Sequence, residues 1–264
     1  MPRTYVVTGS ASGIGLATAQ ILRDRGEIVI GIDLANAEVT ADLSTASGRL
    51  EAAATATELA GGRIDAVIAC AGIAAPIAKT VSINYFGVTE LLTALLPALR
   101  ASDAPRAAVV SSMASLQPSS PELMDAALAG DEAEALRIAE TFTAQGPEAG
   151  YVVYPASKRA LARWVRRESI TADWAGAGIP LNAVGPGTVI TPMTAQLLAS
   201  PEGLALVDGA VPMPLNYHQP ASSIAALLIW LTSVENTHMA GQVIYDDGGA
   251  DATLRGDDIW SWND

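Results

Sequence analysis

Thr8-Gly9-Ser10-Ala11-Ser12-Gly13-Ile14-Gly15 is the stretch on which the reading of this chain turns. Before it stand Tyr5, Val6 and Val7, β-branched and aromatic residues that read with Thr8 as a buried strand. After it, Ile14, Ala17 and Ile21 recur at helical spacing, and charges gather at Arg23, Asp24 and Arg25. Glycines in such a turn let the backbone bend tightly and approach a pyrophosphate without Cβ clashes. The helix start adds free N–H groups and the positive end of its dipole. A plain glycine-rich turn would fit the same residues, so the next strand matters. Residues 28–32 form it, and Asp33 ends it. A carboxylate there accepts hydrogen bonds from both adenosine ribose hydroxyls and repels a 2′-phosphate. No lysine or arginine lies in residues 10–12 or directly after Asp33; the next is Arg49. The pattern therefore calls for NAD rather than NADP.

Further along, residues 38–43 read as a short third strand, 66–71 as an apolar strand bounded by Gly72, and 107–112 as the next. Residues 181–184 lead into Gly185-Pro186-Gly187, and 242–245 into Asp247-Gly248-Gly249. Helical patterns fall at 46–59, 81–99, 154–174 and 221–231, with a polar, acidic, partly helical stretch at 118–146. Strands alternating with helices predict an α/β, Rossmann-type, doubly wound fold: a mainly parallel seven-stranded sheet with helices on both faces. No repeat, linker or composition break divides the chain, so residues 1–264 are expected to form one domain.

Composition narrows the function classes. Of 264 residues, 50% are hydrophobic and 16% charged, which argues against intrinsic disorder. Lysine plus arginine number 15 against 28 aspartate plus glutamate, a balance of −13 that argues against nucleic acid and anionic lipid as partners. Cys70 is the single cysteine, so no intrachain disulfide forms and a reducing cytoplasm is expected. The first residues show no signal-peptide h-region, and no apolar run reaches the roughly 18 residues of a membrane span. Two histidines, His218 and His238, do not make a zinc site, and no metal is expected. Cys70 reads as a small core residue, and Arg159, Arg163, Arg166 and Arg167 as the solvated side of one helix.

Tyr154 and Lys158 stand four residues apart at a helix start and so share a face. An ammonium beside a phenol favours the phenolate and lowers its pKa from about 10. Such a pair can move a proton near neutrality. Together with T-G-x-x-x-G-I-G, Asp33, Cys70-Ala71-Gly72, Asn84, Ser111-Ser112 and P-G-x-V-x-T from Pro186 to Thr191, the order resembles the short-chain dehydrogenase/reductase family over nearly the whole chain.

The resemblance implies roles residue by residue. Thr8, Gly9, Ser10, Ser12, Gly13, Ile14 and Gly15 would form the phosphate-binding turn. Asp33 would take the ribose, Asp42 and Leu43 the adenine, and Ala71 and Gly72 the strand-end wall. Pro186, Gly187, Val189 and Thr191 would hold the nicotinamide end, with Tyr154 and Lys158 on its ribose side. The catalytic set would be Asn84, Ser112, Tyr154 and Lys158. Ser112 would polarise the reacting oxygen, and Tyr154 would be general acid for reduction and base for oxidation. Lys158 would lower the tyrosine pKa and bond the nicotinamide ribose, and Asn84 would hold a water-linked proton path. Ser111 is the weaker choice because alternate strand residues face opposite ways.

Three departures matter. Cys70 stands where the family has an asparagine, removing one side-chain hydrogen bond. Residues 117–150 lengthen the span before Tyr154; a helical insertion there would block the family's usual helix interface or cover the active-site entrance. The 33–38 segment is too short for the usual second helix. These features resemble the bacterial 3α-hydroxysteroid dehydrogenase/carbonyl reductase subgroup. The expected activity is NAD-dependent interconversion of a secondary alcohol and a ketone. The expected substrate is a small hydrophobic molecule, a 3α-hydroxysteroid or other bulky carbonyl. Residues 191–219, with Met193, Leu197, Leu198, Leu204, Leu206, Met213 and Leu215, would form the substrate loop or simply pack it down. A homodimer or homotetramer is expected, and the tail at 255–264, with Trp260 and Trp262, would dock on a partner subunit or fray. Other readings are a silent dinucleotide sensor, an epimerase or dehydratase with no net cofactor turnover, and a dehydrogenase for an unrelated small alcohol.

Overall fold

The computed structural model describes residues 1–261. Trp262, and with it the end of the tail, lies outside the described residues. The chain runs β1 (Thr4–Thr8), α1 (Gly13–Asp24), β2 (Ile28–Asp33), β3 (Val39–Thr40), α2 (Ala46–Leu59) and β4 (Ala66–Ala69). Next come α3 (Lys79–Val81), a π-wound segment (Ser82–Phe86), α4 (Gly87–Arg100) and β5 (Arg106–Val110). Then follow α5 (Pro121–Leu128), α6 (Glu132–Thr143), α7 (Pro147–Gly150) and α8 (Val153–Glu168). The last elements are β6 (Leu181–Pro186), β7 (Val189–Ile190), α9 (Pro201–Ala210), β8 (Gln219–Pro220), α10 (Ala221–Leu231), β9 (Val243–Asp246) and α11 (Ala250–Arg255).

Seven strands form one sheet in the order β3-β2-β1-β4-β5-β6-β9, and every pair in it is parallel. A parallel sheet needs cover on both faces, which is why its strands are apolar on both sides. Val6, Val67 and Val109 point into one core with α2, α4 and α8. Tyr5, Val7, Ile68 and Ala108 point into the other with α1 and α10. The strand order reverses beside β1, so the chain after β1 and after β4 turns to opposite sides and leaves a crevice at their carboxyl ends.

Several expected elements end sooner than their apolar patterns. The β4 strand stops at Ala69 and β5 at Val110, so Cys70, Ala71, Ser111 and Ser112 leave the sheet and enter the crevice region. The helix at 154–174 ends at Glu168. The amide of Ala175 turns back to the carbonyl of Ser169, and Trp174 packs edge-on against Trp164, ring centroids 6.0 Å apart. Trp174 is thus a buried turn residue, only 2% exposed. Lys79–Arg100 runs on as one helical stretch of 22 residues, long and apolar enough to span a membrane, but 72% of its window is buried among the other elements. That makes it the central helix of the core.

Residues 117–150 fold into α5, α6 and α7. Leu123, Met124, Ala127, Ala135 and Ala139 join the core on the α4/α8 side, and Arg167 donates to the Leu128 carbonyl at 3.1 Å. This segment packs on α8 through α5 and on α3 and the π-wound segment through α6, and none of its residues lines the crevice. Truncating Trp174 to Ala should cost about 3–5 kcal/mol, since the turn has nothing else to fill that volume. Urea unfolding monitored by fluorescence and circular dichroism checks this; a loss below about 1 kcal/mol would contradict the packing described.

Candidate active site

The crevice at the strand ends is a cavity of about 350 Å³. At one end lie Asp33, Leu34, Asp42 and Leu43; at the other, Ser112, Tyr154, Pro186, Gly187 and Met193. The glycine turn forms the middle of its floor.

That turn is held by backbone. The amide of Gly9 donates to the Ile32 carbonyl at 2.9 Å, and the amide of Ala71 donates to Thr8 Oγ1 at 3.0 Å. A Cβ on Gly15 would meet the Gly9 carbonyl oxygen at 2.2 Å, so only glycine lets α1 start that close to β1. Ser12, the residue before α1, makes no side-chain cap, and the first turn holds no acidic residue. An uncapped helix start opening into a cleft suits an anion. Asp33 stands across from it. Its carboxylate accepts from the Ala11 amide at 2.9 Å and the Leu34 amide at 2.7 Å, which fixes it at the rim. This donor and acceptor set fits a dinucleotide, with phosphates on the turn and a ribose on the carboxylate.

Gly9, Ser12, Gly13, Ile14, Gly15, Asp33, Asp42, Leu43, Ala71, Gly72, Ser112, Tyr154, Lys158, Pro186, Gly187, Val189 and Thr191 all line the crevice. Three residues of the sequence reading do not. Thr8 is spent on the Ala71 amide. Ser10 is buried beneath β2, its Oγ without a hydrogen-bond partner and only 2.4 Å from where a Cβ on Gly31 would sit. Asn84 is fully buried in the π-wound segment. Its Nδ2 donates to the Ile73 carbonyl and its Oδ1 accepts from the Ile73 amide, both at 2.9 Å, so it clamps the loop after β4. Nδ2 also reaches Ser157 Oγ at 3.1 Å, tying that loop to α8. π winding is rare in proteins and recurs at functional sites.

Ser112 Oγ accepts from the Ala114 amide at 3.1 Å, and Ser112 and Tyr154 line the same crevice. Ser111 turns away and donates to the Lys158 carbonyl at 2.9 Å. Burial pushes the Tyr154 phenol up to about 12, against the opposing pull of Ser112. Lys158 Nζ donates to the Val110 carbonyl at 2.8 Å, and burial brings its pKa down to about 8. The expected Lys158-driven lowering of Tyr154 is therefore not met in this arrangement: the ammonium turns to the β5 carbonyl, and desolvation dominates the phenol.

Other side chains depart from expectation. Cys70 is half-buried and lines the crevice, with a thiol pushed up to about 12 by burial and hence inert. Arg159 is not solvated; it donates to the carbonyls of Ser115 and Gln117, closing the turn that starts at Ser112. Gln117 in turn donates to the Ala210 carbonyl at the end of α9 at 3.2 Å. The sequence offered no signal for Arg159, whose partners come from a distant turn. Nor did it single out Ile73 or Leu34, which line the wall. The apolar residues of 191–219 divide. Met193 faces the crevice, Met213 packs under Gly248, and Leu197, Leu206 and Leu215 are exposed. No residue of α9 is buried, so this segment is not simply packed down. Among the described residues no cluster of three His, Cys, Asp or Glu could hold a metal.

Comparison with known proteins agrees with this geometry. The family model described as "Enoyl-(Acyl carrier protein) reductase" matches residues 9–251. The 3-alpha-hydroxysteroid dehydrogenase/carbonyl reductase of Comamonas testosteroni is 38% identical over 255 residues, 95% of this chain and 97% of that protein. The crystal structure of the 3-alpha-hydroxysteroid dehydrogenase from Pseudomonas sp. B-0831, complexed with NADH, superposes with a TM-score of 0.89 at 37% identity, covering 97% of this chain and all of that one. Levodione reductase, at 22% identity and a TM-score of 0.73, shares the fold over 95% of this chain and 98% of its own.

The buried Lys158 has a measurable signature. Its folded pKa lies below that of the unfolded chain, so the unfolded state binds more protons between about pH 8 and 10.5, and stability from this group rises with pH across that window. Below it the buried ammonium costs roughly 3 kcal/mol, offset in part by the Val110 hydrogen bond. Lys158→Met should therefore gain most on the wild type at pH 7, with the difference closing by about pH 10.5. Urea titrations at several pH values check this; a pH-independent difference would contradict it.

Proposed function

Because the chain belongs to the short-chain dehydrogenase/reductase family, as an oxidoreductase acting on CH–OH groups, we propose that it is NAD-dependent and that its substrate is a 3α-hydroxysteroid or another bulky hydrophobic ketone or alcohol. The observation that carries this reading is that Ser112, Tyr154 and Lys158 line the same crevice as the glycine turn and Asp33. The named activity and bound NADH of relatives at 37–38% identity over nearly the full chain support it.

In this reading the uncapped start of α1 takes the diphosphate, Asp33 the adenosine ribose and Lys158 the nicotinamide ribose. When bound, the nicotinamide supplies or accepts the hydride. Ser112 donates a hydrogen bond to the reacting oxygen and steadies the charge that develops on it. Tyr154 gives that oxygen a proton during reduction and removes it during oxidation. A phenol held near 12 is a ready donor at neutral pH; as a base it needs positive charge brought close, and Lys158 is the cation in the same wall. Asn84 works from behind, setting the Ile73 loop against α8. Met193 and Pro192 give the substrate end an apolar lip. A free cysteine and an acidic surface fit a cytoplasmic setting.

With α5 and α6 over the α4/α8 side, the assembly is a dimer through α10 and β9. Trp230, 38% exposed, and Val234, 54% exposed, supply apolar contact at that end. Light scattering on purified protein should give twice the chain mass. A Trp230→Glu variant should shift to monomer, and a tetramer whose cross-links map to α4 and α8 would contradict this.

The activity test is NADH absorbance with NAD and a panel of 3α-hydroxysteroids, simple secondary alcohols and, in reverse, an enoyl thioester. Turnover of a 3α-hydroxysteroid is expected. Tyr154→Phe should cut kcat by about a thousandfold or more while NADH affinity changes less than about threefold. Retained turnover in that variant would overturn the proton-transfer role. NADH binding with no turnover across the panel would favour the silent sensor.

A further inference from the structure

Arg49 has no part in the chemistry above, yet its side chain is 0% exposed. It projects from α2 into a nest of acceptors. Nη2 and Nη1 take the two carboxylate oxygens of Glu132 at 2.6 and 2.7 Å, and Nη1 also reaches Glu90 at 2.9 Å. Nε donates to the Leu43 carbonyl at 2.9 Å, and Nη2 to the Ser44 carbonyl at 3.1 Å. The guanidinium also lies over the Phe86 ring, 5.8 Å from its centroid. One buried cation therefore joins three pieces of chain: the backbone after Asp42, the π-wound segment and α4, and the first turn of α6 in the 117–150 segment.

The Leu43 backbone is the piece nearest the crevice. Leu43 lines its adenosine end, and its carbonyl sits so close to α4 that a Cβ on Gly87 would meet it at 3.0 Å. No regular element holds this stretch: β3 ends at Thr40 and α2 begins at Ala46. Arg49, the Gly87 seat, the Lys79–Asp42 ion pair at 3.2 Å and the Ser44 amide's bond to Asp42 at 2.9 Å fix its position, and of these only Arg49 bonds the Leu43 and Ser44 carbonyls. The planar fork of an arginine suits this task, since it engages a carboxylate with two parallel donors and still has donors left for carbonyls. Burying an ion pair is a poor way to gain stability, because desolvation cancels much of the attraction. An apolar pair would pack as well but would leave the Leu43 and Ser44 carbonyls without this donor.

We propose that Arg49 and Glu132 are positioning residues for dinucleotide binding: the inserted helix α6 orients Arg49, and Arg49 holds the Leu43 backbone in the wall that receives the adenosine half. This rests on the NAD-binding reading above. It gives the 117–150 segment a role toward the cofactor although none of its residues enters the crevice.

The test measures binding of three probes by calorimetry to wild type, Glu132→Gln and the double variant Arg49→Met with Glu132→Leu. NADH carries both halves, ADP-ribose the adenosine half, and reduced nicotinamide mononucleotide the other half. Both variants should bind NADH and ADP-ribose about tenfold more weakly, with affinity for the mononucleotide unchanged within about twofold. The double variant should keep the wild-type melting temperature or exceed it, which separates positioning from stability. Equal weakening of all three probes, or unchanged NADH and ADP-ribose affinity, would overturn the inference. A wild-type chain that binds neither NADH nor ADP-ribose would overturn the function proposed above and this inference with it.

Discussion

Everything at the functional end of this molecule depends on how closely three strand ends approach one another. The Gly9 amide bonds the end of β2, and Thr8 Oγ1 accepts from the amide of Ala71 just past β4. The α1 helix begins so near β1 that any side chain on Gly15 would collide with a carbonyl. Bulk at these positions would push α1 away from the sheet and close the crevice from below. The glycines cost conformational entropy on folding, and the buried backbone bonds they permit offset it. Asp33, Ala71 and the uncapped start of α1 then face one space because the strands beneath them are in register.

The site built on that scaffold is not optimised for stability. Lys158 is held as a buried amine with a lowered pKa and Tyr154 as a desolvated phenol with a raised one, and behind the crevice Ser10 Oγ lies buried without a partner. Each is a local cost borne by the two cores on either face of the sheet. Perturbed pKa values of this kind at Lys158 and Tyr154 cluster at functional sites, since groups left in ordinary environments stay at ordinary pKa values. The segment 117–150 adds core rather than chemistry. Its contact with Arg49 links it to the cofactor end of the molecule.

Much of this was readable from residue order because it depends on local pattern. The β1 run, the glycine turn and α1 declare themselves by residue type, and α2 and α10 begin and end where their patterns do. What was hidden depends on partners distant in sequence. Trp174 continues the apolar spacing of α8, and only its packing on Trp164 shows that the helix has already ended. Nothing in Ser82–Phe86 marks π winding, which places Asn84 at Ile73. Arg159 reads as a surface charge by spacing, and Arg49 carries no signal of burial; Arg159 becomes a half-buried donor and Arg49 a buried one only because a turn and an inserted helix arrive over them. The Tyr154–Lys158 spacing correctly predicts a shared wall, but not that the ammonium would be drawn to Val110.

The crevice between the glycine turn and Asp33 suits a dinucleotide with a free 2′-hydroxyl. Calorimetric titration of the unmodified chain with NADH and NADPH tests it most directly. One site per chain is expected, with NADH bound at least about tenfold more tightly than NADPH because Asp33 repels the 2′-phosphate. Equal affinity for the two, or a preference for NADPH, would contradict it.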